Sequence, residues 1–183
     1  MALTPSNMLP IGTVAPNFLL QDTVSGNYLS LDQLKSDRAT VIMFICNHCP
    51  FVIHVNPEIV KLANDYKSKG VSFIAISSND VEKHPDDSPE FMRIVAKVLQ
   101  FPFPYLYDKR QEVAKAYDAA CTPDFYVFDG EDKLQYRGRL DDSRPGNNIP
   151  LTGTDLREAL DKILNKQQVG DQYPSLGCNI KWK

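Results

Sequence analysis

Two cysteines and a histidine stand together in Cys46-Asn47-His48-Cys49, and these side chains can do chemistry. Cysteines separated by two residues occur in redox enzymes and in zinc sites. A reactive cysteine can also reduce a peroxide. The surrounding sequence therefore has to decide between a redox switch, half of a metal site and a peroxidase centre.

The pair directly follows a run of residues that is typical of a buried strand. Residues 40–45 are continuously apolar and rich in β-branched side chains. Helical spacing follows, and residues 71–77 form a second run of the same kind. This order predicts a βαβ unit with two parallel strands, and it places the cysteines where the first strand gives way to the helix.

This position predicts how the two cysteines divide the reaction. The N-terminus of a helix favours a thiolate, because its free N–H groups and positive dipole end stabilise negative charge. We therefore predict a lowered pKa for Cys46, at or next to the helix cap, and assign it as the attacking nucleophile. Cys49 lies one turn further along and can resolve the mixed disulfide. His48 should stabilise the thiolate further and make the disulfide more oxidising.

A metal site is the alternative reading of the same residues. His48 and His54 are close enough in sequence to join the two cysteines as zinc ligands. The sequence contains no second C-x-x-C and no H-x-x-x-H, however, and a strand-to-helix junction is the redox context. The prediction is therefore a redox pair without a bound metal.

Composition limits the class of protein. At 183 residues and 43% hydrophobic, the chain can bury a core without disulfides. A net charge of -3 with scattered Lys and Arg argues against a nucleic-acid partner. The longest strongly apolar run, residues 41–46, is too short for a bilayer, and the first twelve residues show no charged signal-peptide start, so no membrane partner is expected. Four cysteines are too few for a disulfide scaffold, which predicts a cytoplasmic protein.

The other predicted elements surround the βαβ unit. They are an N-terminal β-hairpin (residues 17–20 and 28–31), an inserted helix (88–99), a second hairpin (125–128 and 133–137) and a closing amphipathic helix (156–164). The predicted fold class is α/β, with a central mixed sheet flanked by helices, an N-terminal hairpin extension and a helical insertion. One domain spans residues 1–183, with its core at 10–166 and a C-terminal tail at 167–183. No Gly-rich phosphate loop or haem motif indicates a cofactor.

These motifs resemble the thioredoxin superfamily. The resemblance rests on C-x-x-C at the end of a βαβ strand and on Thr122-Pro123 immediately before the strand at residues 124–128. It implies that Pro123 is cis, that it packs against the cysteines, and that Thr122 and Pro123 line the groove where a partner's backbone docks. Residues 12–20 and the following hairpin are similar to the start of the alkyl hydroperoxide reductase and thiol-specific antioxidant branch. Together the similar segments cover about residues 10–166.

Two departures from these families bear on the chemistry. Where thioredoxin has a buried Asp six residues before its first cysteine, this chain has Thr40. Peroxiredoxins carry P-x-x-x-T/S-x-x-C, and the corresponding positions here are Ile42, Cys46 and Cys49. The proline and the peroxide-binding hydroxyl are both missing, so the resemblance to the branch does not by itself make the protein a peroxidase. Thiol peroxidase is therefore the alternative function.

The remaining cysteines and a charged segment leave several readings open. Cys121 could be a third redox thiol that lies near the C-x-x-C and contacts the substrate, or it could be a small buried hydrophobe. Cys178 lies in the tail and could pair between molecules, fold back on the body, or have no role. The charged residues at 137–144 are interpreted as solvated surface, with one Arg near the site as the alternative.

The predicted function is thiol-disulfide exchange through Cys46 and Cys49. His48 tunes the pair, Pro123 supports it, and Thr122 with Cys121 contacts the substrate. The expected partner is a disulfide-containing protein or a small thiol. The sequence gives no prediction of the oligomeric state.

Overall fold

The computed structural model describes residues 3–183, whose strands form two sheets. In chain order the strands are β1 (Leu3–Pro5), β2 (Leu19–Asp22), β3 (Tyr28–Ser30), β4 (Ala39–Phe44), β5 (Val71–Ser77), β6 (Tyr105–Tyr107), β7 (Cys121–Thr122), β8 (Asp124–Asp129), β9 (Leu134–Gly138) and β10 (Leu176–Asn179). The larger sheet has the order β3-β2-β6-β5-β4-β8-β9, and the smaller sheet has the order β1-β10-β7.

Helices cover both faces of the larger sheet. They are α1 (Leu31–Leu34), α2 (Pro50–Lys67), α3 (Pro89–Val98), α4 (Glu112–Ala116) and α5 (Thr154–Leu164), and a short 3-10 helix spans Pro85–Asp87. Helices α2, α3 and α5 pack on one face, and α1 and α4 pack on the other. The predicted mixed sheet flanked by helices is therefore confirmed.

The centre of the sheet is the predicted βαβ unit. All six residues of β4 are buried, which explains why its sequence is apolar without alternation. β4 pairs in parallel with β5, from Ala39 opposite Val71 to Phe44 opposite Ile76, and α2 makes the crossover. β4 pairs with β8 on its other side in the antiparallel direction. This pairing puts the end of β4 beside the start of β8, where the candidate site lies.

The hairpins and the insertion also form where the sequence predicted them. β2 and β3 make the N-terminal hairpin, and α3 lies in the segment between β5 and β6. β8 and β9 pair antiparallel across the turn that contains Gly130. A side chain at Gly130 would place its Cβ 2.0 Å from the carbonyl oxygen of Asp37, so only glycine fits this turn.

The C-terminal tail is more ordered than its sequence suggested. β10 lies between β1 and β7 and pairs antiparallel with both. The predicted core of residues 10–166 leaves out β1 and β10. Backbone hydrogen bonds to distant segments define this strand, and such bonds leave no periodic pattern in the strand's own sequence.

Two residues of the charged segment, Arg137 and Asp141, are buried and contradict its interpretation as solvated surface. Arg137 has no exposed side-chain surface, and its guanidinium lies 3.8 Å from Asp124 and over the ring of Tyr126. Asp124 is equally buried, and burial raises the pKa of its carboxyl to about 7. A buried arginine needs a negative or aromatic partner, and both are supplied by β8.

Among residues 3–183, no helix is long and apolar enough to cross a lipid bilayer.

Candidate active site

The two motif cysteines lie at the junction of β4 and α2, but the helix begins later than predicted. Its first residue is Pro50, and Cys49 is its N-cap residue. Cys46 precedes the cap by three residues, in the loop that follows β4. Proline is common at the first position of a helix, so Pro50 is the sequence signal that could have located this start. The cysteine at the helix cap is thus Cys49, and the prediction that placed Cys46 there is corrected.

Cys46 is held as a thiol by its surroundings. Its side chain is buried, and its sulfur lies 3.4 Å from Oγ1 of Thr122. Hydrogen bonding to Cys49, burial and the nearby carboxylate of Asp87 raise the pKa of Cys46. The predicted lowered pKa of Cys46 is therefore wrong, because this cysteine lacks the helix cap and faces a negative charge.

Cys49 carries the thiolate instead. Hydrogen bonds from the Cys46 thiol, from the Cys178 thiol and from the backbone N–H of Val52 lower the pKa of Cys49 to about 5, despite its burial. The N–H of Val52 belongs to the first turn of α2. The free N–H groups of a helix start favour a negative charge at this position. The hydrogen bond within the pair therefore favours the thiolate on Cys49 and the thiol on Cys46.

A third cysteine completes the cluster. Sγ of Cys178, on β10, lies 2.8 Å from Sγ of Cys49. Burial and the hydrogen bond to Cys49 raise the pKa of Cys178 to about 12, so Cys178 is a thiol at neutral pH. Of the fates considered for Cys178, the structure shows that the tail folds back on the body. Sequence reasoning did not place this residue in the site, because the two cysteines are 129 residues apart.

Thr122 lies against both motif cysteines, as the resemblance implied. The Thr122-Pro123 peptide bond is cis. The carbonyl oxygen of Thr122 lies 3.3 Å from the sulfur of Cys49, and it accepts a hydrogen bond from Cys49 when this residue is protonated. Thr122 is also paired with Cys178 in the β7–β10 ladder. The edge of β7 that was predicted to dock a partner's backbone is therefore covered by the chain's own tail.

Cys121 is buried next to this loop but points elsewhere. Its sulfur lies 3.9 Å from the carbonyl oxygen of Pro123. Burial, followed by the charge of Asp124, raises the pKa of Cys121, which keeps it protonated. These surroundings fit the reading of Cys121 as a small buried hydrophobe. Its predicted contact with the substrate stays a prediction.

Asp87 anchors the loop between the two motif cysteines, and sequence reasoning missed it. Its fully buried carboxylate accepts hydrogen bonds from the backbone N–H of Asn47 at 2.7 Å and of His48 at 3.3 Å. It also accepts from the Asn79 amide at 2.7 Å and pairs with Nδ1 of His48 at 2.6 Å. The ring of His48 stacks on His84. The segment between β5 and α3 thus fixes the loop between the motif cysteines, although the sequence around Asp87 contains no pattern that predicts this role.

Asp87 also bears on the metal alternative. One ligand atom from each of Cys46, His48 and Asp87 lies within 4.8 Å of the others, so these side chains could approach a metal ion together. One carboxylate oxygen of Asp87 already accepts a hydrogen bond from the backbone N–H of Asn47, however, and the other accepts from the side-chain amide of Asn79. His54, the other suggested ligand, bonds through Nε2 to the hydroxyl of Ser143 at 2.7 Å. The geometry is that of a loop anchor and supports the redox reading of the cysteines.

Comparisons with known proteins agree with this geometry. The sequence model of the AhpC/TSA family matches residues 11–137. A curated relative, the thiol-disulfide oxidoreductase ResA of Bacillus thuringiensis subsp. konkukian, is 26% identical over 131 residues, which are 72% of this chain and 70% of that protein. The crystal structure of an uncharacterized conserved protein from Geobacillus kaustophilus has a TM-score of 0.98 and 62% identity, covering 100% of this chain and 97% of that one. The thioredoxin domain of a thiol-disulfide oxidoreductase from Bacteroides vulgatus has a TM-score of 0.61 and 19% identity, and the match covers 86% of this chain and 95% of that one.

Proposed function

Because this chain belongs to the AhpC/TSA family and has a thioredoxin fold, we propose that it exchanges electrons with disulfides through Cys46 and Cys49. Thiol-disulfide oxidoreduction is also the activity named for the curated Bacillus relative. The observation that carries the proposal is the position of Cys49. It is a thiolate at a helix N-cap, and it is hydrogen-bonded to Cys46, the first cysteine of the motif.

The reaction proceeds in two exchange steps. The Cys49 thiolate attacks one sulfur of a substrate disulfide, so that a mixed disulfide forms and one substrate thiolate leaves. Cys46 then attacks the Cys49 sulfur, the Cys46–Cys49 disulfide forms, and the second substrate thiolate leaves with the proton of Cys46. The substrate gains two electrons and the protein loses two. We assign the attack to Cys49 and the resolving step to Cys46, the reverse of the roles predicted from the sequence.

The neighbouring residues support this division of roles. The carboxylate of Asp87 disfavours a second negative charge at Cys46. The hydrogen bond between Nδ1 of His48 and Asp87 fixes the imidazole ring in the loop, where we propose that it tunes the pair. We propose a disulfide-containing protein or a small disulfide as the substrate. The cytoplasmic location suggested by the low cysteine content remains part of the proposal.

A peroxidase is less well supported by the site. The position where peroxiredoxins bind the peroxide with a hydroxyl is occupied by the thiol of Cys46. The position of the peroxiredoxin proline is occupied by Ile42. Both replacements argue against fast reduction of a peroxide by this pair.

The test is a titration of the reduced protein against glutathione redox buffers, followed by mass spectrometry. Trypsin leaves Cys46 and Cys49 together in one peptide, residues 39–61. We expect a two-electron transition in which this peptide becomes two hydrogens lighter, or in which it becomes joined to a peptide that carries another cysteine. A protein that keeps every thiol across the titration would contradict the exchange function. The Cys49→Ser variant should lose the transition, and the Cys46→Ser variant should still react with glutathione disulfide.

A further inference from the structure

The contact between Cys49 and Cys178 is close enough to become a bond. The two sulfur atoms are 2.8 Å apart, and a disulfide bond is about 2.05 Å long. Cys49 is the thiolate of the site and Cys178 is a buried thiol. Closing the bond therefore needs a small movement and an oxidant that takes two electrons.

Several independent contacts hold Cys178 at this place. In the β7–β10 ladder it lies opposite Thr122, the residue that also contacts Cys46 and Cys49. The preceding Gly177 is in such close contact with β7 that a Cβ there would lie 2.0 Å from the carbonyl oxygen of Thr122. The backbone of β10 is therefore packed so closely against β7 that there is no room for a side chain at position 177.

The residues after β10 are fastened as well. The N–H of Lys181 donates to the side chain of Asn79 at 2.9 Å, and its carbonyl accepts from Gln111 at 2.8 Å. Asn79 also donates to Asp87, the anchor of the motif loop. One side chain thus links the tail to the loop of Cys46. A thiol fixed in this way has a high effective concentration at its neighbour.

We propose that Cys178 is a third redox-active cysteine, which forms a disulfide with Cys49 and so acts as a second resolving thiol beside Cys46. This inference rests on the proposed exchange function of Cys49. After Cys49 has formed a mixed disulfide, the Cys178 sulfur attacks the Cys49 sulfur. The Cys49–Cys178 bond forms, the bond from Cys49 to the substrate breaks, and the proton of Cys178 leaves with the substrate thiolate.

The same exchange can follow oxidation of the motif. Cys178 attacks the Cys46–Cys49 disulfide at Cys49, the Cys49–Cys178 bond forms, and Cys46 leaves as a thiolate that takes the proton of Cys178. No electrons enter or leave in this step. We expect Cys121 to take no part in the relay, because it precedes Thr122 on β7 and successive side chains of a strand point to opposite faces.

The test uses the Cys46→Ser variant, which retains the other three cysteines. Trypsin places them on separate peptides: Cys49 in residues 39–61, Cys121 in 116–133 and Cys178 in 167–181. The reduced, folded variant is treated with glutathione disulfide and alkylated, and its peptides are mapped without reduction. We expect peptide 39–61 to be joined to peptide 167–181 and two glutathione molecules to be released per chain. Peptide 116–133 should remain alkylated, which makes it an internal control.

A second variant isolates the resolving step. In the Cys46→Ser, Cys178→Ala double variant, Cys49 should keep glutathione as a stable mixed disulfide and release one glutathione per chain. If the Cys46→Ser variant also keeps glutathione on peptide 39–61, the role of Cys178 is overturned while the exchange function stands. If neither variant nor the wild-type protein reacts, the exchange function fails as well. A mixture of all three possible cross-links would also overturn the proposal, because it would mean that the fold does not select the pair Cys49 and Cys178.

Discussion

The thiolate at Cys49 should make the stability of the reduced protein depend on pH in a defined way. The folded pKa of Cys49 is about 5, whereas a cysteine in an unfolded chain has a pKa of about 8.5. Between these values the unfolded state binds one proton more than the native state at this residue. The contribution of Cys49 to stability is therefore complete above the unfolded pKa, and it is lost as the pH falls towards 5.

The size of the effect follows from the same two pKa values. Stability should rise by about 1.4 kcal/mol for each pH unit in the middle of this range. Between pH 6 and pH 8 the gain is roughly 2 to 3 kcal/mol, because the unfolded thiol starts to ionise near the upper end. Asp124, whose pKa is raised to about 7, has the opposite effect, because its neutral form is favoured by folding. Subtracting a variant that retains Asp124 cancels this second contribution.

The variant is Cys49→Ser, which keeps a hydroxyl at the N-cap position of α2. Free energies of unfolding are measured by urea titration at pH 6 and pH 8 in the presence of a reductant, with circular dichroism as the signal. We expect the difference between wild type and variant to grow by roughly 2 to 3 kcal/mol from the lower to the higher pH. Cys46→Ser is the matched control: its hydroxyl keeps a hydrogen-bond donor to Cys49, so this variant should retain most of the pH dependence of the wild type.

Two results would refute this reasoning. A difference between wild type and Cys49→Ser that is the same at both pH values would mean that Cys49 is not ionised in the folded protein. Loss of the pH dependence in Cys46→Ser, together with its retention in Cys49→Ser, would place the thiolate on Cys46. The roles predicted from the sequence would then be restored.

Three further predictions follow from the site. Gly177→Val should displace β10 and let iodoacetamide label Cys178, as measured by mass, whereas Gly170→Val should not, because the nearest atom to a Cβ there is 3.9 Å away. Asp87→Ala should lower the free energy of unfolding in urea by about 3 kcal/mol, since several donors lose a charged acceptor, and an unchanged value would deny its anchoring role. Hydrogen peroxide should oxidise the reduced protein about as slowly as a small thiol in stopped-flow measurements, and a far faster reaction would favour the peroxidase.

The central strands were predictable because their signals are local. Residues 40–45 predicted β4 at Ala39–Phe44, and residues 71–77 are β5 as observed. A strand that is buried on both faces needs apolar side chains at every position, so it can be recognised from a run of consecutive apolar residues. The position of the motif at the end of β4 followed directly from these strands.

The start of α2 was harder to place because two prolines compete for the first turn. Asn56-Pro57 also fits the pattern of a cap and a first-turn proline, yet Pro57 lies inside a helix that runs from Pro50 to Lys67. Proline at the first position of a helix costs no hydrogen bond, so Cys49-Pro50 fits the same pattern. The cap is therefore Cys49 and not Cys46, and this difference reverses the roles of the two cysteines.

The other site residues could not be found from local patterns. Asp87 is 39 residues from His48, and Cys178 is 129 residues from Cys49. Their contacts depend on how an insertion and a tail fold over the end of β4. A single buried carboxylate or a cysteine in a short strand has no periodicity that would reveal its partner.

The burial of the sulfur atoms sets a condition on any exchange reaction. Cys49 has no exposed surface, and Cys46 and Cys178 each expose 2%. A substrate sulfur has to touch the Cys49 sulfur, so an element that covers it has to move. β10 is such an element, and it carries Cys178 away when it leaves β7. A Cys49–Cys178 disulfide would bond β10 covalently over the site, whereas a Cys46–Cys49 disulfide would leave β10 free to move away from the site. The choice of resolving cysteine therefore also decides whether the oxidised site stays accessible.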